Sequence, residues 1–279
     1  MSMFYGLRYV AAAAVVAGLA ACNQQPAESA AEAPAEPAPV AEVAPEPAPA
    51  MAPNVIATSM GDLVITPIHH ASMLLEWNGM KILVDPAPMP GAPEGTDPLP
   101  DFVALGEPSL ILVTDIHGDH LSADVLSAVA GAAPIVAPQA VADELPEALQ
   151  AMTQVVANGE TVTVQGVQIE AIPMYNITED RLMYHEKGRG NGYILTLGDT
   201  RVYIAGDTEN IPEMLALTDI DVAFIPMNLP YTMTPEAAAS AVVAFRPTVV
   251  YPYHYGMSDL NVFVQGVGDA SEVRLLEWY

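Results

Sequence analysis

Residues 54–279 predict one α/β (α+β) domain. Three observations point there. Short apolar runs, rich in Val, Ile, Leu and Tyr, recur between Gly, Pro, Asn and Asp turn signals. Helical segments are few, and they are interspersed with the strand-like runs rather than gathered at one end. The stretch is about 225 residues long, enough for a single large core.

Leu74–Trp77 and Lys81–Val84 flank Asn78-Gly79, a pair that tolerates positive φ and therefore predicts a hairpin. Asp85-Pro86 then stops the second strand. Ser109–Thr114 is a short apolar run entering a polar cluster, which reads as a buried strand with a loop at its C-terminal end. Further strands are expected over Thr161–Val164, Val167–Ile172, Tyr193–Leu197, Arg201–Ala205, Val222–Ile225 and Thr248–Tyr251. A helix is expected over Ser122–Val129 behind an N-cap serine, and another over Gln139–Leu149, limited by Pro146. The clearest helix opens at Thr234-Pro235-Glu236 and runs through Phe245. It has a threonine N-cap, proline at the first position and a carboxylate in the first turn. The sequence has no internal repeat and no Gly-rich phosphate loop.

The preceding residues have a different character. Residues 1–21 read as a secretory signal, with Arg8 as the sole charge and an apolar run from Val10 to Ala21. That run is short for a membrane span, which takes about 20 residues. It ends in Leu19-Ala20-Ala21-Cys22, which resembles the lipobox of bacterial lipoproteins. The resemblance implies lipidation of Cys22, export, and a lipid-anchored place in the bacterial cell envelope. The outer membrane facing the periplasm is favoured, because Asn23 stands where inner-membrane retention usually has aspartate. A plain signal peptide with a chance cysteine is the alternative. Cys22 is the only cysteine, so no intramolecular disulfide can form. Residues 22–53 then form the lipidated cysteine and an Ala/Pro/Glu-rich linker, expected to be disordered and extended.

Eight basic residues face 34 acidic ones, a formal net charge of −26. That balance excludes nucleic acid as a partner, since phosphate binding needs a basic face. It also repels anionic headgroups, leaving acyl chains as the membrane hold.

Residues 114–120 read Thr-Asp-Ile-His-Gly-Asp-His. Asp115, His117, Asp119 and His120 therefore follow a predicted strand directly, where a tight loop can turn several side chains toward one point. Imidazole suits zinc and other transition metals, and carboxylate adds neutralising charge. Two of the chain's six histidines fall in this window, which argues against an ordinary acidic surface loop. His185, Asp207 (in Gly206-Asp207-Thr208) and His254 (in Tyr253-His254-Tyr255) stand further along, near predicted strand ends. Each alone is a weak signal.

Together, Asp-x-His-x-Asp-His, then His, then Gly-Asp-Thr, then His, resembles the metallo-β-lactamase superfamily, whose signature is His-x-His-x-Asp-His. The likeness runs from about Ile65 to Gly256 and leans toward the L-ascorbate 6-phosphate lactonase-like branch. Ile68-His69-His70-Ala71, Ile82-Leu83-Val84-Asp85-Pro86 and Lys187-Gly188-Arg189-Gly190-Asn191-Gly192-Tyr193 add to it. The implied fold is a four-layer αββα sandwich. The implied function is a metal-dependent hydrolase in which a metal-activated water attacks an ester, lactone or phosphodiester. Asp115 and His117 would hold a first metal with His185, Asp119 and His120 a second with His254, and Asp207 would bridge them. Asp119 would also be catalytic, orienting the water and accepting its proton. Zn2+, two per chain, is the first choice, with Mn2+ or Fe open. Asp115 departs from the family pattern, so a one-metal site stays open too.

His70 is expected beside the ligands or at the substrate, and His69 on the opposite face if the strand persists. Arg181, Lys187, Arg189 and Arg201 cluster around His185 and suggest a positive lip for a small anionic substrate. Ordinary ion pairs are the equal alternative. Arg189, Asn228 and Tyr231 are the expected substrate contacts, with Thr232 nearby. Two other classes stay open: a noncatalytic metal-holding envelope lipoprotein that binds a ligand or partner, and an iron oxidoreductase.

Overall fold

The computed structural model describes residues 52–93 and 95–279. The expected signal, Cys22 and the linker up to residue 51 lie outside the described residues.

Two seven-stranded sheets follow one another along the chain. The first contains β1 (Val55–Thr58), β2 (Gly61–His69), β3 (Ser72–Trp77), β4 (Met80–Val84), β5 (Leu110–Leu112), β6 (Ile135–Ala137) and β7 (Thr153–Val155), side by side in that order. β1 to β4 are antiparallel, and β4 to β7 are parallel. The second contains β8 (Thr161–Val164), β9 (Val167–Met174), β10 (Gly190–Leu197), β11 (Thr200–Ile204), β12 (Val222–Pro226), β13 (Val249–Tyr253) and β14 (Glu272–Val273). It repeats the pattern, antiparallel through β11 and parallel from β11 to β14. Such mixed sheets need cover on both faces along their parallel part.

That cover divides the apolar residues into three clusters. Ile65, Met73, Leu75 and Val84 of the first sheet meet Ile169, Leu195, Ile204 and Phe224 of the second between the two sheets. α1 (Leu99–Val103), α2 (Ala123–Val129), α3 (Gln139–Glu144) and α4 (Glu147–Gln150) pack outside the first sheet. α5 (Pro212–Leu215), α6 (Pro235–Phe245) and α7 (Leu260–Val267) pack outside the second. The result is the expected four-layer αββα sandwich.

The hairpin forms as expected, with Asn78 at φ 48° and Gly79 at φ 75°. α6 begins behind Thr234, whose hydroxyl accepts the Ala237 N–H, and ends at Phe245. Ser122 caps α2 by accepting the Val125 N–H. The expected helix over Gln139–Leu149 is corrected: it breaks into α3 and α4. Leu145 is extended, at ψ 147°, because the ring of Pro146 excludes the helical region for the residue before it.

Candidate metal centre

The site gathers at the C-terminal ends of the parallel strands, where open loops can turn side chains inward. Asp85 follows β4, and Asp115 to His120 follow β5. His185 lies in the long β9–β10 connection, Asp207 follows β11, Asn228 to Thr232 follow β12, and His254 follows β13. His70, Asp85 and His254 all have positive φ, at 52°, 46° and 45°. Left-handed backbone at non-glycine residues is uncommon, although Asp and His tolerate it better than most, and it concentrates at functional sites.

Seven expected ligands come together in two groups: Asp115, His117 and His185 in one, and Asp119, His120, Asp207 and His254 in the other. Asp207 faces both. Its Oδ2 lies 3.2 Å from His185 Nε2 and 3.5 Å from His120 Nε2, and its Oδ1 lies 3.2 Å from His254 Nε2. Asp119 Oδ2 approaches His254 Nε2 at 3.4 Å, and Asp115 Oδ2 approaches His117 Nδ1 at 2.7 Å.

Supporting hydrogen bonds fix how these groups present themselves. Asp85 is fully buried, accepting the Thr114 N–H at 2.7 Å and the Thr114 hydroxyl at 2.7 Å. Its Oδ2 also lies 2.9 Å from His120 Nδ1, which places that ring's proton on Nδ1 and turns Nε2 toward Asp207. The Tyr231 carbonyl lies 3.2 Å from His185 Nδ1 and orients that ring in the same way. A third chain starts at Gly256, whose N–H donates to Tyr279 Oη at 2.9 Å. The phenol lies 2.8 Å from His70 Nδ1, and His70 Nε2 lies 3.0 Å from Asp119 Oδ2. Burial pushes the Tyr279 phenol up to about 12, so it stays protonated and its O–H donates a hydrogen bond to His70 Nδ1. His70 then carries its own proton on Nε2 and donates to Asp119. His70 belongs to neither ligand group and stands beside them.

Charge follows from this packing. Burial opposes ionisation of Asp119, but hydrogen bonds from His254 and His70 outweigh it and hold the carboxyl well below the usual range. Asp207 is likewise held low against burial by the His254 and His120 charges, and Asp115 by its His117 partner. His117 is raised, chiefly by its hydrogen bond to Asp115. His120 is raised against its own burial by Asp207 and Asp85. Burial lowers His70.

Residues 64–254 match a family profile described as a β-lactamase superfamily domain. A UPF0173 metal-dependent hydrolase from Thermococcus kodakarensis is 34% identical over 217 residues, covering 75% of this chain and 93% of the relative. The crystal structure of a protein named as a metal-dependent hydrolase from Parabacteroides distasonis is 40% identical. It superposes with a TM-score of 0.72 over 81% of this chain and 98% of that one. A metallo hydrolase from Ignicoccus hospitalis is 25% identical, with a TM-score of 0.64 over 77% of this chain and 95% of that one. The chain belongs to the β-lactamase superfamily. It is a metal-dependent hydrolase of that fold. These relatives carry the superfamily and not the narrower ascorbate 6-phosphate lactonase branch.

The superfamily chain's own atoms test whether a metal fits. Asp115 Oδ1, His185 Nε2 and Asp207 Oδ1 are buried with no hydrogen-bond partner among the described residues. His120 Nε2 and His254 Nε2 stand 3.2 Å apart. Both face carboxylates, so the protons that the metal-free protein holds among these atoms occupy positions a cation can take. Nitrogen and carboxylate donors suit zinc, manganese or iron.

A cavity of about 430 Å3 opens over both groups. His70, His117, Asp119, His185 and Asp207 face it on the metal side, and Asn228 and Tyr231 line it as expected. Pro88, Met89, Pro90 and Tyr184 complete the wall. His69 turns away, its Nε2 2.7 Å from the Ala87 carbonyl and its ring edge-on to Phe102. Thr232 is buried, its hydroxyl accepting the Asn228 N–H at 2.7 Å.

The basic residues do not form a free lip. Arg181 pairs with Glu209 at 2.7 Å, Lys187 with Glu213 at 2.7 Å and Arg201 with Glu170 at 2.8 Å. Arg189 does reach the ligands, with Nη2 3.3 Å from Asp115 Oδ2 and 3.3 Å from His117 Nε2, but it is not part of the cavity wall. Sequence reasoning missed Tyr279, Tyr184 and the Pro88–Pro90 wall. They carry no metal-ligand signature, and their proximity depends on tertiary packing. Asp85 was visible as a strand stop, but not as the partner of His120.

Proposed function

We propose that the chain hydrolyses an ester, lactone or phosphodiester, with Asp115, His117 and His185 holding one metal and Asp119, His120 and His254 a second. The observation that carries this reading is Asp207, whose two oxygens face both groups. Zinc is the favoured ion, two per chain. When bound, the metals would supply Lewis acidity, lowering the pKa of a water and polarising the scissile carbonyl or phosphoryl oxygen.

The chain's residues do the rest. Asp119 faces the cavity and is pinned by His70, so its carboxylate is aimed before substrate arrives. It accepts a hydrogen bond from the attacking water and takes its proton. In ester cleavage the water oxygen bonds to the acyl carbon while the acyl–oxygen bond breaks. Asp119 then returns the proton to the departing alkoxide. Asn228 and Tyr231 are placed to orient the substrate.

The export signal and Cys22 lead us to place this activity in the bacterial envelope, held by lipid and facing the periplasm. The test is metal analysis beside turnover of nitrophenyl ester, lactone and phosphodiester substrates, before and after chelation. Activity and melting temperature should fall together on chelation and return with zinc. A protein that binds less than one metal per chain, or melts unchanged after chelation, counts against the reading.

A further inference from the structure

Apart from the metals that the ligand groups would hold, no basic side chain in the cavity wall marks an anionic substrate. Among the described residues, no lysine or arginine lines it, while Asp119 and Asp207 do. The three cations nearest in sequence to His185, apart from Arg189, are paired with glutamates. Arg189 is held by Asp115, His117 and the Tyr184 carbonyl.

The wall opposite the ligands is instead apolar. Pro88, Met89 and Pro90 form one side. Tyr184 and Tyr231 form another, their rings packed edge to face with centroids 5.1 Å apart. Exposed apolar side chains continue outward among charged ones. A hollow sharing His185 holds Ile177 and Leu182 beside Glu186 and Lys187, and one sharing Asn228 holds Leu229 and Met257 beside Glu236 and Asp259. Those four apolar side chains are exposed by 47%, 46%, 44% and 100%, and Met183 beside Tyr184 by 71%. Single exposed apolar residues are ordinary, but a group of them around one mouth marks a binding surface.

We propose that this cavity takes an uncharged ester or lactone carrying an apolar chain. The reacting carbonyl lies over Asp119 and Asp207, and the chain lies between Pro88–Pro90 and the Tyr184–Tyr231 pair. The proposal rests on the hydrolase reading above. Hydrolysis consumes one water, breaks the acyl–oxygen bond and yields a carboxylate, an alcohol and a proton.

The experiment measures binding of straight-chain alkyl hydroxamic acids of two to eight carbons to the zinc-loaded full chain by calorimetry. A hydroxamate bearing a terminal carboxylate serves as the anionic counterpart. Affinity should rise about fourfold for each methylene buried, until the wall is filled. The carboxylate-bearing probe should bind at least tenfold more weakly than its uncharged equal in length. Met89→Asn should flatten the chain-length slope while metal content stays constant. Hydroxamates that bind equally at every length, or bind more tightly with the carboxylate, overturn the proposal and leave the hydrolase reading intact. If no hydroxamate binds to zinc-loaded protein, the metal centre itself fails, and the proposal with it.

Discussion

Asp85→Asn separates metal affinity from the ligands themselves. Asp85 touches no substrate and belongs to neither ligand group. Its left-handed backbone, φ 46°, is one that asparagine tolerates well, so the chain path should survive. The Thr114 N–H requires an oxygen at the Oδ1 position, which directs the new amide nitrogen toward the Thr114 hydroxyl and His120 Nδ1. An amide N–H cannot accept the Nδ1 proton. The His120 proton therefore moves to Nε2, the nitrogen that faces Asp207 at 3.5 Å and His254 at 3.2 Å. Restoring the ligating tautomer forfeits a charge-assisted hydrogen bond, at about 1.5–3 kcal/mol. That corresponds to roughly a 10- to 100-fold loss of metal affinity, the range typical of partners behind a ligating histidine. Chelator competition measures the affinity, circular dichroism checks the fold, and nitrogen NMR reports the His120 tautomer. A folded Asp85→Asn protein with wild-type metal affinity would refute the argument.

Four other outcomes are expected. Asp119→Asn should lose about 10²–10⁴-fold in turnover while keeping most of its metal, whereas His117→Ala and His254→Ala should each release one metal. Elemental analysis beside turnover decides it, and full activity in the asparagine variant removes the proton-acceptor role. Gly206 has φ +66°, and a Cβ there would stand 2.4 Å from Met174 Sδ. Gly206→Ala should therefore destabilise by more than about 1 kcal/mol in urea titration and displace Asp207; unchanged stability and metal content would contradict this. His117 and His120 are raised, so in the metal-free protein their pairings stabilise fully below the ordinary histidine value of about 6.5 and fade as pH rises through the raised values. Metal must displace those protons, so its affinity should climb with pH and its binding should release protons, measured by calorimetry in buffers of differing ionisation enthalpy; a pH-independent affinity is the contrary result. Cys22→Ser expressed in a bacterial host should leave an unprocessed precursor that no longer partitions into detergent, and normal processing would dismiss the anchor.

The legible parts of this sequence were those where one local signal has one structural meaning. Asn78-Gly79 permits the hairpin because both residues accept positive φ. Thr234-Pro235-Glu236 starts α6 because cap, fixed φ and carboxylate agree. The motif from Asp115 to His120 was legible for the same reason, since its ligands share one loop. The helix expected over Gln139–Leu149, already limited by Pro146, breaks there because the proline acts on Leu145. The basic cluster around His185 left a positive lip and ordinary ion pairs equally open, because proximity in sequence says nothing about partners. Glu209, Glu213 and Glu170 come from other elements and take up three of its charges.

Asp115 and Arg189 show the same limit from the other side. Against the usual superfamily pattern, aspartate in place of histidine adds one negative charge to a centre whose other group already holds Asp119 and Asp207. Asp115 is fully buried, where an uncompensated charge is strongly unfavourable. Arg189, 74 positions away, brings its guanidinium to 3.3 Å from the same Asp115 oxygen. The pair leaves the formal charge of the centre where a neutral histidine would have left it. The charge that Asp115 brings is thus balanced by a residue outside the motif. It also explains why Arg189, the one arginine at the ligands among the described residues, is unavailable to a substrate. Removing it should do more to the Asp115 group than to the cavity. Arg189→Gln leaves Asp115 with His117 as its nearest hydrogen-bond partner, and so makes that group a stronger cation trap rather than a poorer pocket.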